Sequence, residues 1–423
     1  MLEQMDGSLL RIVHLTTEPL APFLEHSTRP NLARSRNCNG ASIMSRDLTF
    51  SGEEYKRRCD AVRKLMAERR LDCVIFDEPE MMSWLSGYTV SENLWRACIV
   101  PASSEPFLLV RKLDMPPARQ RTWMDNIVGF GDWDDPLTVL VSTLRERGSV
   151  PARIAAEFQS NSFTIQRLQS LRKLLPATEF VDLERSGWDL RRCKSPEEIA
   201  HMSRAGSLLD AAFDATVKEV ASGKNQRDIA AAAAAAYYRL GFDDGFVGPL
   251  NVGSGWDSLH GFLAERPLVD GDIVHIELLP RLRFYTVRIM RSVIVGRATE
   301  EQQAAAQALI ALQDRQIAAL RPGAIAADVD RIVREGVVAA GLRESYDNIT
   351  GYTLGTAPLV SQHTSDLYRC FTPRSEWTVE EGMVFHMYTS AAGLAFSESV
   401  VVTSSGGKRL TSIPRKIFET RPK

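Results

Sequence analysis

Residues 268–296 read LVDGDIVHIELLPRLRFYTVRIMRSVIVG, with apolar runs on either side of a polar bend. Apolar, β-branched runs of this length are typical of buried strands. A second strand-rich segment lies at 383–403, and a helical region at 299–341 separates the two. Helical patterns also precede residue 268, so the order of helices followed by strands occurs twice. This order predicts an internal pseudo-duplication.

The chain before this duplication alternates between helical and strand-like segments. A helix is predicted to begin at Ser51, and Glu54 three residues later completes the pattern of a capping box. The unbroken apolar run in DCVIFD (72–77) indicates a buried strand, and further strand and helix patterns follow it. We therefore predict a small α/β domain at 44–185 and a second domain of the α+β type at 186–423.

Residues 1–43 differ from the rest in composition. They are rich in Arg, Pro, Asn and Ser and have no hydrophobic periodicity. Acidic residues among them argue against a transit peptide, and there is no compact apolar core of a secretory signal. We expect a flexible or mis-started N-terminal extension, and a docking arm is the alternative.

The composition gives no sign of a strongly charged partner. The 423 residues carry a formal net charge of −2, so there is no electrostatic reason to expect nucleic acid or an anionic membrane. No uninterrupted apolar stretch approaches the roughly 18 residues that a transmembrane helix needs. The six cysteines are scattered without the short spacings of a zinc site, so we expect free thiols and a cytoplasmic protein.

An ordered set of motifs in the second domain is similar to a known family. The motifs are RRCKSPEEIAHMSRAG (191–206), Asn251, His260, LVDGDIV (268–274), GMVF (382–385), and Glu398 followed by VVT (401–403). In this order they resemble the pita-bread fold shared by methionine and proline aminopeptidases, creatinase and ectoine hydrolase. The N-terminal domain resembles that of creatinase more loosely, through DNIV (125–128) and GDW (131–133). The resemblance implies a small α/β domain followed by a pita-bread domain with pseudo-duplicated halves, in a homodimer.

Metal-dependent members of this family bind two metal ions at five positions, with two Asp, one His and two Glu. The corresponding positions of this chain are Glu277, Arg288, Tyr352, Tyr388 and Glu398. Hard divalent cations need many carboxylate oxygens, and a guanidinium cannot ligate a metal and repels one from the same cavity. We therefore expect no metal ion and no other cofactor.

Two tracts resemble the metal-free members of the family, ectoine hydrolase and creatinase. They are ELLPRLRFYTVRIMR (277–291) and GYTLG (351–355), the latter followed by QHT (362–364). The resemblance implies a metal-independent hydrolase of a C–N bond in a small nitrogenous substrate, namely an amidine, cyclic amidine or amide. However, Tyr388 begins a YTSA tract where the family has Pro-Gly, and Ala395 replaces an expected acid. Neither ectoine nor creatine is therefore indicated as the substrate.

Four residues are candidates for catalysis: His260, Glu277, His363 and Glu398. By resemblance to creatinase, His260 would relay protons, and by resemblance to ectoine hydrolase, Glu277 would attack or orient the substrate. The alternatives are a loop histidine that only forms hydrogen bonds and a buried Glu277–Arg288 salt bridge. His363 would supply an acid. Glu398 would accept hydrogen bonds from a substrate nitrogen or else pair with Arg288.

Five residues are candidates for substrate binding: Arg288, Tyr285, Tyr352, Tyr388 and Arg96. The phenols could donate hydrogen bonds to a tetrahedral oxyanion, as the metal does in relatives. Aromatic core packing is the alternative, above all for Tyr285. Arg96 would clamp a substrate carboxylate across a dimer interface, as the N-terminal arginine of creatinase does, and a plain surface arginine is its alternative.

Two further histidines receive no catalytic role. His386 lies on an apolar strand, where a histidine is more often a satisfied core residue. We interpret His386 as a core residue and assign no function to His275.

Two competing functions stay open at this point. Pita-bread domains also serve as non-catalytic binding modules, although the balanced charge shows no interaction patch. A metal-dependent lyase or peptidase with a relocated site is the third hypothesis. Firmly bound metal would favour that hypothesis over the metal-free one.

Overall fold

The computed structural model describes residues 46–89, 93–148, 150–253 and 259–420, so the predicted extension at 1–43 lies outside it. The helices are α1 (Gly52–Arg69), α2 (Pro79–Ser86), α3 (Met115–Arg121), α4 (Pro136–Glu146), α5 (Ile165–Leu174), α6 (Ser186–Leu190), α7 (Pro196–Val217), α8 (Gln226–Leu240), α9 (Glu300–Ala319) and α10 (Ala326–Ala339). Within the described residues, no helix is both long enough and apolar enough to cross a membrane.

The strands fall into two groups, before and after residue 186. The first group is β1 (Cys73–Phe76), β2 (Ala97–Pro101), β3 (Phe107–Arg111), β4 (Ile127–Phe130), β5 (Arg153–Ala156) and β6 (Glu179–Asp182). The second is β7 (Asp244–Val252), β8 (Ile273–Leu282), β9 (Tyr285–Thr286), β10 (Ile289–Ile294), β11 (Gly351–Thr353), β12 (Cys370–Phe371), β13 (Val384–Ala391), β14 (Leu394–Thr403), β15 (Gly406–Arg409) and β16 (Phe418–Glu419).

The N-terminal strands form one mixed sheet in the order β4-β3-β2-β1-β5-β6. Strand β1 lies inside this sheet and buries both of its faces. Val74 and Phe76 belong to one hydrophobic cluster, and Cys73 and Ile75 belong to another. A strand covered on both faces needs apolar residues at every position, which explains the unbroken run in the sequence.

Helix α1 is capped as predicted on one side only. The Ser51 side chain accepts a hydrogen bond from the backbone N–H of Glu54. The Glu54 carboxylate does not return to Ser51, because it binds the buried Arg58 at 2.7 Å. The Ser51 N–H instead donates to Glu197 Oε2 of α7 at 2.9 Å. The cap of α1 thus joins the two parts of the chain.

The C-terminal strands form two five-stranded sheets. One has the order β16-β10-β8-β7 with β9 paired to β8, and the other has the order β12-β11-β13-β14-β15. Helices α7 and α8 precede and pack against the first sheet, whereas α9 and α10 precede the second and α9 packs against it. Strands β10 and β14 meet between the sheets. The predicted pseudo-duplication of helices and strands is therefore confirmed.

Helix α8 contains the run of seven alanines and forms as its composition predicts. Ile229, Ala233, Ala236 and Tyr237 are its buried apolar residues, at the spacing of one helical face. The helix ends at Gly241, whose φ of 89° is accessible to glycine without strain. Alanine on the buried face lets α8 lie close to β7.

Candidate functional site

A cavity of about 430 Å³ lies in the C-terminal part of the molecule. Four of the predicted site residues line it: His260, Arg288, Tyr352 and Tyr388. They come from a loop before β8, the residue before β10, and strands β11 and β13. The cavity has a size that suits a small molecule.

The rest of the cavity wall is mainly apolar. Leu259, Met290, Ile349 and Leu367 contribute carbon surface, and Asn348, Thr364 and Ser390 contribute polar atoms. Among the described residues that line the cavity, there is no Asp or Glu. Among the described residues that line the cavity, Arg288 thus supplies a permanent positive charge.

Arg288 is held by Glu277 from behind. The Arg288 Nε donates to Glu277 Oε1, and the guanidinium carbon lies 5.5 Å from the centre of the Tyr352 ring. Arg288 Nη1 lies 3.5 Å from Thr364 Oγ1. The backbone of Arg288 is fixed by Ser399 Oγ, which accepts from its N–H at 2.8 Å and donates to its carbonyl at 2.9 Å. The predicted meeting of Glu277 and Arg288 is present.

This pair stays ionised. Complete burial alone would raise the pKa of Glu277, but the Arg288 guanidinium outweighs burial and lowers that pKa to about 2. The pKa of Arg288 is raised in turn, because the attraction of Glu277 exceeds the effect of burial. Glu277 does not line the cavity, and Arg288 is 8% exposed. Glu277 therefore acts on the cavity through Arg288.

Two buried histidines accompany Glu277. His275 Nε2 lies 3.9 Å from Glu277 Oε2, which is too far for a hydrogen bond. The His386 ring packs against Tyr352 and Tyr388, with ring centres 5.0 and 5.4 Å apart. Neither histidine has a hydrogen-bond partner for its ring nitrogens in the described part of the chain, and neither does Glu277 Oε2. Burial, assisted by Arg288, lowers the pKa of His386 far below its ordinary value, so it is neutral.

These histidines were missed in the sequence. We interpreted His386 as a satisfied core residue, but its nitrogens are unsatisfied within the described residues. One available signal was the strand period of two, which puts His275 and Glu277 on the same face of β8. The same period puts His386 beside Tyr388 on β13.

Glu398 does not share the cavity with Arg288, contrary to the expectation. It is fully buried, and its two oxygens accept from Arg291 Nη2 at 2.7 Å and from Thr411 Oγ1 at 2.6 Å. Arg409 and Arg415 approach the same carboxylate at 3.6 and 3.7 Å. The reason is that Glu398 pairs with Arg291, three residues after Arg288, instead of with Arg288. Both carboxylate oxygens of Glu398 are thus already occupied by protein donors.

The three predicted tyrosines divide into two groups. Burial raises the pKa of Tyr352 and Tyr388, so both hydroxyls stay protonated at the cavity wall. Tyr285 lies elsewhere, because its hydroxyl donates to Glu198 Oε1 at 2.6 Å and its ring packs on Phe50. The prediction of a substrate contact for Tyr285 is not supported by this placement, and the core-packing alternative fits it.

His363 and Arg96 lie in a second polar region outside the cavity, which also contains Glu80 and Ser162. His363 Nδ1 lies 3.4 Å from Glu80 Oε1, although its neighbour Thr364 lines the cavity. Arg96 is buried, so it is not the surface residue of the alternative, and its Nη1 lies 3.5 Å from Ser162 Oγ. Burial lowers the pKa of Arg96, against the opposing charge of Asp77. Neither His363 nor Arg96 lines the cavity.

The donor set does not fit the two metal ions of metal-dependent relatives. At the corresponding positions, Glu277 and Glu398 are each bound by an arginine, and Arg288 is itself one of the five residues. A guanidinium and two protonated phenols offer no anionic ligand. Across residues 46–89, 93–148, 150–253 and 259–420, no group of three or more His, Cys, Asp or Glu is arranged to hold a metal ion.

Comparison with known proteins places both parts of the chain. Residues 200–404 match the model of metallopeptidase family M24, and residues 58–193 match the creatinase/prolidase N-terminal domain. Ectoine hydrolase of Halomonas elongata is 26% identical over 402 residues, covering 88% of this chain and 98% of that protein. A Xaa-Pro dipeptidase of Pyrococcus furiosus is 25% identical over 376 residues, covering 86% and 100%.

Solved structures agree in fold. The prolidase of Pyrococcus horikoshii matches with a TM-score of 0.72 and 21% identity, over 85% of this chain and 99% of that one. An X-Pro aminopeptidase of Thermotoga maritima matches with a TM-score of 0.73 and 20% identity, over 86% and 99%. The chain therefore carries a domain of metallopeptidase family M24, with the pita-bread fold, after the N-terminal domain of creatinases and prolidases.

Proposed function

We propose that this protein hydrolyses a C–N bond of a small amidine, cyclic amidine or amide without a metal ion, and that an amide fits best. The observation that carries the proposal is the Arg288 guanidinium in the cavity wall, held by Glu277. By family resemblance, a metal-binding Asp occupies this position in metal-dependent relatives. A fixed guanidinium can stabilise the oxyanion that forms when water attacks a carbonyl.

His260 is the proposed acid–base group. It is exposed at the cavity, where an imidazole could take a proton from the attacking water. The new C–O bond gives a tetrahedral intermediate whose oxyanion would face Arg288 and the Tyr352 and Tyr388 hydroxyls. His260 would then return the proton to the leaving nitrogen as the C–N bond breaks. The products are a carboxylic acid and an amine.

Glu277 and Glu398 take different roles from those first expected. Glu277 is buried behind Arg288, which supports positioning of the guanidinium rather than attack on a substrate. Glu398 already accepts from Arg291 and Thr411, which supports a structural role. Arg288, Tyr352 and Tyr388 remain the proposed substrate-binding groups.

The charge of the cavity narrows the substrate class. The described lining residues offer a cation and no carboxylate to a bound molecule. A buried cationic amidine would find no ion-pair partner there. A neutral amide needs no such partner, and a carboxylate on an amide substrate could pair with the Arg288 guanidinium. The apolar side chains Met290 and Leu367 would bind a short acyl or alkyl group. This combination favours N-acyl amino acids within the amide class.

Peptide hydrolysis is the second candidate function. Its support is the similarity to the Pyrococcus furiosus Xaa-Pro dipeptidase, which extends over that protein's full length. It would require a metal site away from the five positions discussed above, and a binding module without turnover is the third possibility. Bound metal and turnover separate the three.

We also propose a cytoplasmic homodimer. Five cysteines of the described residues, among them Cys59 and Cys193, form no disulfide, which suits a reducing compartment. The dimer rests on family resemblance alone. Sedimentation equilibrium of the full chain would test it, and a monomer at micromolar concentration would rule it out.

The test of the proposed function is a substrate screen with a matched pair of variants. N-acyl amino acids, cyclic amidines and guanidino acids are offered to the purified full chain, and amine release or ring opening is measured. We expect release from N-acyl amino acids, and a loss of about 10²- to 10⁴-fold in kcat for His260→Asn. Phe262→Ala, at an exposed position two residues away, is the control and should retain full activity. Binding without turnover in every class would overturn the proposal.

A further inference from the structure

A segment of chain at 358–367 connects the cavity with the second polar region. Near its end, Thr364 and Leu367 line the cavity. Thr364 Oγ1 also lies 3.5 Å from Arg288 Nη1. The position of this wall segment therefore affects both the width of the cavity and the surroundings of Arg288.

Glu80 of α2 holds the first half of the wall segment. Ser361 Oγ donates to Glu80 Oε1, and His363 Nδ1 lies 3.4 Å from the same oxygen. Thr356, just before the segment, donates its hydroxyl to the Glu80 backbone carbonyl at 3.1 Å. Glu80 is buried, whereas the His363 side chain is 39% exposed, so the Glu80 side of these contacts is the one shielded from solvent.

The second half of the wall segment is held by Asp366. Arg191 Nη1 donates to Asp366 Oδ1 at 2.5 Å, and Lys194 Nζ lies 3.5 Å from Oδ2. All three residues are buried. The wall segment is thus attached at both ends to residues that precede α7, far from it in the sequence.

The charges of this region favour the attached state at neutral pH. Burial raises the pKa of Glu80, but His363, Arg191 and Ser361 outweigh it and the pKa is lowered. The hydrogen bond with Glu80 raises the pKa of His363, against partial burial, and the charges of Glu80 and Asp366 add to this rise.

Other charged groups face this region from the elements around it. Burial, the charge of Glu80 and other acids raise the pKa of Glu78 to about 8, despite Arg191 and the Trp188 hydrogen bond. Glu78 is therefore mostly protonated at pH 7. Arg96, which directly precedes β2, faces the same acids: burial lowers its pKa, and the charges of Asp77 and Glu80 oppose this.

We infer that Glu80 is a positioning residue for the cavity: through Ser361 and His363 it holds the wall segment beside Arg288. His363 then acts through Glu80 and the wall segment instead of as an acid toward substrate. Because a folded-state pKa above the ordinary value gives stability that is lost as pH rises through it, the attachment weakens when His363 loses its proton. Any effect on turnover rests on the proposed function, whereas the attachment itself does not.

Hydrogen–deuterium exchange of the full chain tests this inference without a substrate. The backbone N–H groups of Ser361, His363 and Leu367 are hydrogen-bonded, so peptides covering 358–367 report opening of the wall segment. We expect Glu80→Gln to speed this exchange by about tenfold at pH 7, because it removes a charged acceptor. Glu78→Gln is the matched control and should leave the exchange unchanged.

Milder variants keep the test decisive if Glu80→Gln does not fold. Ser361→Ala should speed exchange by a smaller factor. In the wild type, exchange corrected for the intrinsic rate should rise between pH 6 and pH 9 as His363 loses its proton. His363→Asn should abolish this rise. For any substrate that is turned over, Glu80→Gln should raise KM more than it lowers kcat. Wild-type exchange in all three variants would overturn the inference, whether or not the protein proves to be a hydrolase.

Discussion

Two buried carboxylate–guanidinium pairs lie close together in the pita-bread domain, and they differ in how completely they are satisfied. In the pair of Glu398 and Arg291, both carboxylate oxygens accept hydrogen bonds. In the pair of Glu277 and Arg288, Glu277 Oε2 has no partner within the described residues, and Arg288 borders the cavity. Unsatisfied buried polar atoms next to a cavity indicate a functional site, whereas a closed network indicates a structural one.

The structural pair ties three segments together. Besides Glu398, Arg291 donates to the carbonyls of Ser397, Ile413 and Pro414, at 2.7, 2.9 and 3.1 Å. Ser397 and Glu398 belong to β14, and the other two belong to the C-terminal segment. This explains why Arg291 is fully buried although it is charged.

The largest effect should come from breaking the satisfied pair. Arg291→Met leaves Glu398 and several carbonyls buried with fewer donors, so we expect a loss of about 3–5 kcal/mol in the free energy of unfolding. Urea denaturation followed by circular dichroism measures this. Arg409 and Arg415 lie near the same carboxylate. A loss below about 1 kcal/mol would mean that these two arginines replace Arg291.

Breaking the other pair should affect function more than folding. Arg288→Met removes the proposed oxyanion donor, so kcat should fall by about 10²- to 10³-fold. The free energy of unfolding should fall less than in Arg291→Met, because the site borders a cavity that water can enter. The two measurements are made on the same preparations. Equal stability losses with full turnover in Arg288→Met would remove the distinction between the pairs.

Glu78 extends the comparison to a buried carboxyl with no arginine at hydrogen-bond distance among the described residues. Its oxygen accepts from Trp188 Nε1 at 2.8 Å, and burial raises its pKa from 4.5 to about 8. A raised pKa means stability that is complete below pH 4.5 and lost as pH rises through about 8. Glu78→Gln should therefore be more stable than the wild type above pH 8, by on the order of 2 kcal/mol.

Urea titrations at a series of pH values between 4.5 and 9 measure the Glu78 effect. The difference between variant and wild type should grow steadily between about pH 5 and pH 7.5, where only the folded state keeps the Glu78 proton, and level off above about pH 8. A difference that does not vary with pH would show that Glu78 is ionised throughout and has an unrecognised partner.

The smallest effects should separate the tyrosines. Tyr352→Phe removes a hydroxyl at the cavity and should lower kcat by about fivefold, since one neutral hydrogen bond is worth about 1 kcal/mol. Tyr285→Phe should cost about 1 kcal/mol of stability through Glu198 and leave kcat unchanged. Steady-state kinetics and thermal unfolding of both variants check this, and the reverse pattern would reassign Tyr285 to the site.

The sequence predicted the fold, and four of the proposed site residues line one cavity. The N-cap at Ser51, and strands such as β1 and β8, depend on local patterns that can be read directly. The resemblance to the family's metal-binding positions implied that Glu277 and Arg288 share one site, and the two residues do meet. These features involve neighbours in the chain or in one sheet.

The parts that the sequence did not predict depend on distant segments. Glu398 accepts hydrogen bonds from Arg291 and from Thr411, and Thr411 follows the last strand of the second sheet. His363 finds Glu80 across 283 positions of sequence. Whether the His386 ring nitrogens find hydrogen-bond partners depends on all the segments that pack around it, so its own strand could not predict that they find none among the described residues.

The metal content and the turnover of one chelator-treated sample test the central claim most directly. The full chain is dialysed against a chelator, its metals are quantified, and amine release from N-acyl amino acids is measured on the same sample. We expect undiminished turnover with far less than one metal ion per chain, because Arg288 replaces a metal ligand. Turnover that disappears with the chelator and returns with added divalent metal would contradict a metal-free site.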